Sequence, residues 1–252
     1  MSQQEPSIAR DWYHVSFDVL YPIIYGHRTA EAAQQEALFA VEHAGINPSD
    51  TVLDLCCGNG RHMAHLTKQA GKVVGLDYSA HLLALGQESL GENASLVRAD
   101  MRDQPFAGEF DVVANFFTSF GYFDTEEENL SVLKGIASSL KPGGRFFMDL
   151  INKNWAEEYV ESKSVRHHQE YEISEDRWID TERHRINKTM VVKRDGETVG
   201  ELGESVQLYS LDDLTPLLTQ AGLDVERTFG DYSGTSCCDP SQPRMIVVGR
   251  KA

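Results

Sequence analysis

The chain has few cysteines and prolines and no long apolar run. Of its 252 residues, 4 are cysteine and 8 are proline. The cysteines form two adjacent pairs, Cys56-Cys57 and Cys237-Cys238, which match neither the CxxC spacing of zinc sites nor a disulfide framework, so we expect free thiols. No apolar stretch approaches the roughly 18 residues of a membrane-spanning helix, and the N-terminus lacks the pattern of a secretory signal. We therefore expect a soluble, cytoplasmic protein with no membrane partner.

Positive charge is also scarce. Lysine and arginine total 23 against 39 aspartates and glutamates, a formal net charge of −16. An acidic surface repels phosphate backbones. The densest basic stretch, Arg177 to Arg194, is interleaved with acids, which is typical of a solvated strand face. We expect no nucleic-acid partner and a monomer or weak homodimer.

The middle of the chain reads as an α/β domain. Apolar, β-rich runs alternate with helical patterns between Thr51 and Asp149, which indicates a parallel sheet with crossover helices. A helix over Glu126–Leu140 begins with an acidic turn and ends before the stop signal Lys141-Pro142-Gly143-Gly144. The predicted strands are Thr51–Leu55, Lys72–Leu76, Ala94–Arg98, Phe110–Asn115 and Arg145–Asp149.

The flanking segments differ from this core. Helical patterns precede it, and period-two alternation follows it, which predicts an antiparallel insertion. Arg194-Asp195-Gly196 is a good hairpin turn inside that insertion. The predicted elements are helices over Asp11–Tyr25 and Glu31–Ala44, the insertion over Ser164–Tyr209, a helix over Leu211–Gly222, and strands near Val225–Phe229 and Met245–Val248.

A glycine loop after the first predicted strand is the most informative segment. Gly58 and Gly60 let the chain turn sharply and bring its peptide groups close to a ligand. A dinucleotide fingerprint needs a third small residue where this chain has Met63, and a P-loop needs a Lys-Ser/Thr pair that is missing. Asp54, just before the turn, disfavours a polyphosphate. The loop therefore fits a ligand that carries an ammonium group and no phosphate.

Acidic residues end the next two predicted strands. Asp77, 17 residues beyond Gly60, suits the vicinal hydroxyls of a ribose. Asp100 can accept the exocyclic amine of an adenine while Met101 packs on the ring. Strand-end aspartates also cap following helices, but three ordered features at successive strand ends favour an adenosine ligand.

These motifs resemble the class I S-adenosylmethionine-dependent methyltransferases. DLCCGNGR is similar to their glycine motif, GLDYS to the ribose-binding acid, RADMR to the adenine segment, and FDVVANFFTSFGYF and LKPGGRFFMDL to the fourth and fifth strands. LLTQAGLDV and RMIVVGR resemble the closing helix and final hairpin. The flanking parts resemble bacterial small-molecule methyltransferases with an antiparallel insertion after the fifth strand.

The resemblance implies a Rossmann-like seven-stranded methyltransferase sheet with flanking helices, in one domain over residues 1–252. It implies an enzyme that uses S-adenosyl-L-methionine, releases S-adenosyl-L-homocysteine and methylates nitrogen or oxygen of a small-molecule acceptor by in-line displacement. The implied parts are an N-terminal helical lid (11–45), a cofactor-binding core (46–151), an antiparallel β insertion over the acceptor site (152–210), and a closing helix with C-terminal strands (211–252).

The resemblance also implies the site. The glycine loop would line the methionine moiety, and the residue pair after the fourth strand the sulfonium side. The cofactor residues are Tyr25, Arg28, Asp54, Cys56, Gly58, Gly60, Arg61, Asp77, Tyr78, Ser79, Asp100, Met101, Arg102, Asn115 and Phe116. The acceptor residues are Phe117, Ser119, Phe120, Tyr122, Asn152 and Arg244, the last of which could instead pair with Asp231.

Catalysis is the least determined part. His62 and Tyr122 are weak candidates for a general base, and we expect no metal site. A nicotinamide-dependent oxidoreductase on a similar sheet is a rival hypothesis, although Met63 disfavours it. Two further hypotheses are a regulator that binds the cofactor without catalysis and a transferase with a protein or RNA target.

Overall fold

The computed structural model describes residues 7–88, 90–237 and 239–252. The helices are α1 (Tyr13–Ser16), α2 (Tyr21–Ile24), α3 (Ala30–Ala44), α4 (Met63–Leu66), α5 (Ala80–Gln87), α6 (Glu126–Ser139), α7 (Lys153–Tyr159) and α8 (Leu211–Gln220). The strands are β1 (Thr51–Leu55), β2 (Lys72–Asp77), β3 (Ala94–Arg98), β4 (Phe110–Asn115), β5 (Leu140–Ile151), β6 (Lys163–His168), β7 (Tyr171–Asp180), β8 (Arg185–Arg194), β9 (Glu197–Gln207), β10 (Leu223–Phe229) and β11 (Arg244–Lys251).

A seven-stranded sheet forms the centre of the fold, in the order β10-β11-β5-β4-β1-β2-β3. The strands β1 to β5 pair in parallel, whereas β11 runs antiparallel to both of its neighbours. Strands β1 and β2 are apolar and almost fully buried because helices cover both faces of a mostly parallel sheet. The prediction of a Rossmann-like seven-stranded sheet is confirmed. Its strand order brings the carboxyl ends of β1, β2 and β4 together at one edge.

Two apolar clusters hold helices against the sheet. On one face, Leu133 of α6 and Leu214 of α8 pack with strand residues such as Leu53. On the other face, Ala40 of α3 packs in a cluster with Met63 of α4. Helix α3 therefore belongs to the core of the fold, although the sequence placed it in a lid.

The insertion is a separate four-stranded antiparallel sheet, in the order β6-β7-β8-β9. Its β8–β9 turn has Asp195 and Gly196 at φ angles of 52° and 82°, the left-handed conformations of a two-residue hairpin. The predicted hairpin is confirmed. The short helices α1 and α2 lie against this insertion, since Ser16 Oγ donates to the carbonyl of Gly203 at 2.7 Å and Ile24 packs on Ile173.

Three expectations need correction. The helix predicted over Asp11–Tyr25 is broken into α1 and α2, because Phe17 has non-helical backbone angles and Pro22 starts a new helix without donating a backbone hydrogen bond. Strand β5 begins at Leu140, and the predicted stop residues form an irregularity within it where the register with β4 shifts. Cys56 and Cys57 are free thiols as expected, but Cys237 is disulfide-bonded; Cys238 lies outside the described residues.

None of the helices in the described ranges is both long and apolar enough to cross a membrane.

Candidate functional site

A cleft opens at the carboxyl ends of β1, β2 and β4. The glycine loop and the β2 and β3 ends form one side, and the α1–α2 segment and the insertion form the other. Of the residues predicted from the sequence, the cleft is lined by Tyr25, Arg28, Cys56, Gly58, Arg61, His62, Asp77, Tyr78, Ser79, Asp100, Met101, Phe116, Phe117, Ser119, Tyr122 and Arg244.

The glycine loop turns directly over the end of β2. Cys56 and Gly58 have φ angles of 64° and 56°, both in the left-handed region that favours glycine. The backbone N–H groups of Cys56 and Cys57 donate to the carbonyl of Leu76 at 2.7 and 3.0 Å, which fixes the loop to the sheet. The peptide groups of the loop therefore approach the cleft in a rigid conformation.

Asp77 links this loop to the next helix. Its Oδ2 accepts the N–H of Gly58 and its Oδ1 accepts the N–H of Ser79, both at 2.8 Å. Burial raises the pKa of the Asp77 carboxyl, and the backbone hydrogen bonds oppose that effect. Each carboxylate oxygen has a further lone pair. The side chain can thus receive two more donors from a ligand in the cleft.

The β3 end adds a second acid beside an apolar surface. Asp100 is held by Arg102, with Nη2 and Oδ2 2.6 Å apart, while Arg102 also pairs with Glu128 at 2.8 Å. Burial raises the pKa of Asp100, but the hydrogen bonds from Arg102 outweigh it and leave the pKa below its usual value. Met101 is buried and its Sδ lies 3.4 Å from Cys56 Sγ. Arg102 itself lies outside the wall of the cleft and orients the acid.

Two guanidinium groups face the cleft with unused hydrogen-bond donors. Arg28 stacks between the rings of Tyr25 and Phe117, at 4.0 and 3.4 Å from the ring centroids, and its buried Nε has no partner among the described residues. Arg61 pairs with Glu36 at 2.9 Å through Nη1, while its buried Nη2 has no partner within the same ranges. Buried donors left unpaired are costly. Their arrangement indicates a ligand that carries acceptor oxygens.

The loop after β4 is strained and held by one buried acid. Phe117 and Thr118 have consecutive left-handed φ angles of 57° and 60°. Asp149, fully buried, accepts the N–H of Phe117 at 2.9 Å and the side chains of Tyr232 and Arg244 at 2.7 Å each. The partner of Arg244 is therefore Asp149, not Asp231, because the pairing of β11 with β5 places Arg244 opposite Ile151. Arg244 still lines the cleft.

Other predicted residues lie behind the wall of the cleft. The Asp54 side chain is almost fully buried, and burial raises its pKa to about 8. Asn115 donates to the carbonyls of Leu55 and Ser119, which ties β1 to the loop after β4. Gly60 and Phe120 also stay outside the lining, and Phe120 packs on Tyr209 in the core.

Asn152, which the sequence predicted to line the acceptor pocket, has a structural role. Its amide donates to the carbonyls of Asp239 and Gln242 at 3.0 and 2.9 Å, and its oxygen caps α7 through the N–H of Asn154. The polar atoms of this side chain are engaged with the chain itself. Asn152 therefore supports the neighbouring loop and is not part of the cleft lining.

Neither candidate base is poised to take a proton. His62 is buried, its Nε2 lies 2.6 Å from Glu36 Oε2, and its ring stacks on Phe116. Burial lowers the pKa of His62 to about 4 despite the hydrogen bond to Glu36. Burial raises the pKa of Tyr122 well above its usual value. Near neutral pH both side chains are uncharged, and the imidazole is a weak base.

The sequence did not identify several residues of the cleft. The α1–α2 segment contributes Trp12, Tyr13 and Phe17, and the insertion contributes Ile186, Lys188, Glu204 and Val206. Alternate residues of a strand share a face. The period-two pattern could therefore have indicated that residues 186 and 188, or 204 and 206, lie on one side, but not that this side faces the cleft. Across residues 7–88, 90–237 and 239–252, no group of three His, Cys, Asp or Glu side chains could hold a metal ion.

An α/β sheet with a glycine turn and strand-end acids defines a protein that binds a nucleoside ligand at the switch of its strand order. A family profile described as a methyltransferase domain matches residues 52–144. The chain is 32% identical over 156 residues to an uncharacterized methyltransferase of Synechocystis sp., covering 59% of this chain and 71% of that protein. The chain belongs to the class I S-adenosylmethionine-dependent methyltransferases and is an enzyme. The hypotheses of an oxidoreductase and of a non-catalytic regulator are therefore wrong.

Further relatives share most of the fold. The chain is 28% identical over 196 residues to the Streptomyces venezuelae dTDP-3-amino-3,4,6-trideoxy-alpha-D-glucopyranose N,N-dimethyltransferase, covering 77% of this chain and 72% of that one. It is 28% identical over 247 residues to the cypemycin N-terminal methyltransferase of Streptomyces sp., covering 91% and 99%. The crystal structure of an S-adenosylmethionine-dependent methyltransferase from Clostridium acetobutylicum superposes with a TM-score of 0.78 at 18% identity, covering 91% of this chain and 97% of that one.

Proposed function

We propose that this methyltransferase transfers a methyl group to the nitrogen of a small-molecule amine. The observation that carries the proposal is the aromatic side of the cleft, where Phe17 stacks on Tyr122 and Tyr21 contacts Tyr25. Aromatic faces favour amines, whose nitrogen is positively charged when protonated. Two relatives at 28% identity are named for methylation of an amino sugar and of a peptide N-terminus, so both act on amines.

The residues of the cleft fit S-adenosylmethionine. Asp77, anchored by two backbone N–H groups, would receive the ribose hydroxyls. Asp100 and Met101 would hold the adenine. The unpaired donors of Arg28 and Arg61 would receive the carboxylate of the methionine part. This assignment uses the buried donors that no side chain of the described residues satisfies.

The state of the candidate bases favours nitrogen over oxygen. When bound, the cofactor would supply a sulfonium methyl group to the acceptor nitrogen: the N–C bond would form as the S–C bond breaks, the electron pair of the broken bond would stay on sulfur, and the methylated ammonium would release a proton. A neutral amine brings its own lone pair, whereas a hydroxyl group needs a base. His62 is tied to Glu36 and Tyr122 stays protonated, so neither serves an alcohol well. Tyr13 of α1 and Tyr21 of α2 line the cleft.

The proposal is tested with matched acceptors. Phenethylamine and glucosamine are compared with phenethyl alcohol and glucose, using labelled S-adenosylmethionine and detection of S-adenosylhomocysteine and of the methylated product. We expect turnover with amines only. Turnover of the alcohols alone would refute the proposal.

A pH profile shows whether the amine loses its proton in solution or whether a base on the enzyme removes it. When the amine is changed, we expect the apparent pKa of kcat/KM to follow the pKa of the amine. A value that stays constant across amines of different pKa would assign a general base to the enzyme and contradict this account.

A further inference from the structure

The insertion places an ion pair in the wall of the cleft. Lys188 of β8 and Glu204 of β9 are register partners, and their Nζ and Oε2 atoms lie 2.8 Å apart. The side chains are 14% and 13% exposed, so water screens them little. Tyr25, directly after α2, donates its hydroxyl to Glu204 Oε1 at 2.5 Å and accepts from Lys188. Tyr25 also stacks on Arg28 of the cofactor assignment, whereas Lys188 and Glu204 themselves have no part in that assignment.

Glu204 lines the cleft together with several aromatic residues. Tyr21 and Tyr25 have ring centroids 4.7 Å apart, and Phe17 lies 5.4 Å from Tyr21 and 5.5 Å from Tyr122. After burial, the charge of Glu204 is among the causes that raise the pKa of Tyr21, Tyr25 and Tyr122. Tyr25 contacts the carboxylate directly, and the other rings line the same cleft. A carboxylate within an aromatic enclosure is suited to an amino group.

The two members of the ion pair differ in what they can still bind. Lys188 directs its ammonium toward Tyr25, whose ring centroid is 4.7 Å from Nζ, and uses donors on Tyr25 and Glu204. Glu204 accepts one hydrogen bond on each oxygen, so each oxygen keeps a lone pair. Arg28, Arg61 and Arg244 already supply positive charge to the lining of the cleft. Glu204 is therefore the acid that the insertion offers to a ligand.

We propose that Glu204 is a specificity-determining residue that accepts an N–H of the acceptor amine. The inference rests on the proposed function, because it requires an amine acceptor. An N–H directed to Glu204 leaves the nitrogen lone pair free to point elsewhere in the cleft. Lys188 competes for the same carboxylate, so its positive charge weakens the binding of a protonated amine.

Because Lys188 and the amine compete for Glu204, replacement of Glu204 and replacement of Lys188 should change the KM of the amine in opposite directions. Steady-state kinetics are measured with phenethylamine or glucosamine, whichever the wild-type enzyme methylates, for Glu204→Gln, Glu204→Asp and Lys188→Met. We expect Glu204→Gln to raise the KM of the amine about 10-fold or more, the loss of a charge-assisted hydrogen bond, with kcat changed far less. Glu204→Asp should retain part of the affinity, and Lys188→Met should lower the KM. Unchanged affinity for S-adenosylhomocysteine in each variant verifies that the fold and cofactor site are intact.

Three other outcomes would overturn the inference, and each points to a different explanation. If Glu204→Gln and Lys188→Met raise the KM equally, the pair only fastens α2 to the insertion. If Lys188→Met raises the KM and Glu204→Gln lowers it, the pair recognises an anionic group. If the wild-type enzyme methylates no amine, the proposed function fails, and this inference fails with it.

Discussion

Replacement of Asp77 by asparagine tests the cofactor site most directly. The side chain is buried and accepts two backbone N–H groups at 2.8 Å, so its position does not depend on the ligand. Asparagine keeps the size but loses the charge and one acceptor oxygen. A hydrogen bond to a charged group contributes about 1.5–3 kcal/mol, so the Kd for S-adenosylhomocysteine should rise roughly 10-fold to 150-fold.

Calorimetric titration with S-adenosylhomocysteine measures this effect. Asp103→Asn is the matched control, since Asp103 is an exposed acid three residues beyond Asp100 and removes the same charge from the chain. Wild-type affinity should fall as the pH drops through the pKa of Asp77, which burial raises above its usual value; the Asp77→Asn variant should lack this dependence. A Kd within a factor of about two of wild type in Asp77→Asn would refute the ribose assignment.

The remaining predictions concern stability. Arg185→Met should lower the free energy of unfolding by about 1–3 kcal/mol in urea titration, because the buried guanidinium donates to the carbonyls of Tyr122, Phe123 and Ser205, which would lose their partner. An unchanged free energy of unfolding would contradict this. Gly75→Ala should lower the melting temperature, since an added Cβ collides with Met63 and Cys57; an unchanged melting temperature would contradict this and would show that the two side chains can move aside. Burial lowers the pKa of His62 from 6.5 to about 4, so between these pH values the unfolded chain binds a proton that the folded chain does not. The free energy of unfolding should therefore fall as the pH drops from 6.5 to about 4. His62→Gln should reduce this fall, and a pH dependence identical to that of the wild type would refute the prediction.

Short stretches of the sequence were enough to predict much of the proposed cofactor site. Strands β1, β3 and β4 have the bounds that the sequence predicted. In β1 and β4 the reason is that a strand buried on both faces needs a continuous apolar segment. The glycine loop follows β1, Asp77 ends β2, and Asp100 comes two residues after β3. Parallel strands bring their carboxyl ends to one edge, so consecutive strand-end residues meet there without further information.

Contacts between distant segments could not be predicted in this way. The partner of Arg244 is Asp149, 95 residues away, and Asn152 caps a helix and holds the loop around Asp239. The insertion pattern predicted strands but not which of their faces meets the cleft. Lys188 and Glu204 enter the site only because α2 and the insertion pack together over the sheet.

The sequence by itself determined the class of sheet, the nucleoside-binding turn and the acids beside it, since these depend on neighbours within a few residues along the chain. Tertiary structure alone decided which residues of the insertion line the cleft, the neutral state of His62 and the pairing of Arg244. Burial and charge pairing arise when residues far apart in the chain are packed together, and no local pattern records them.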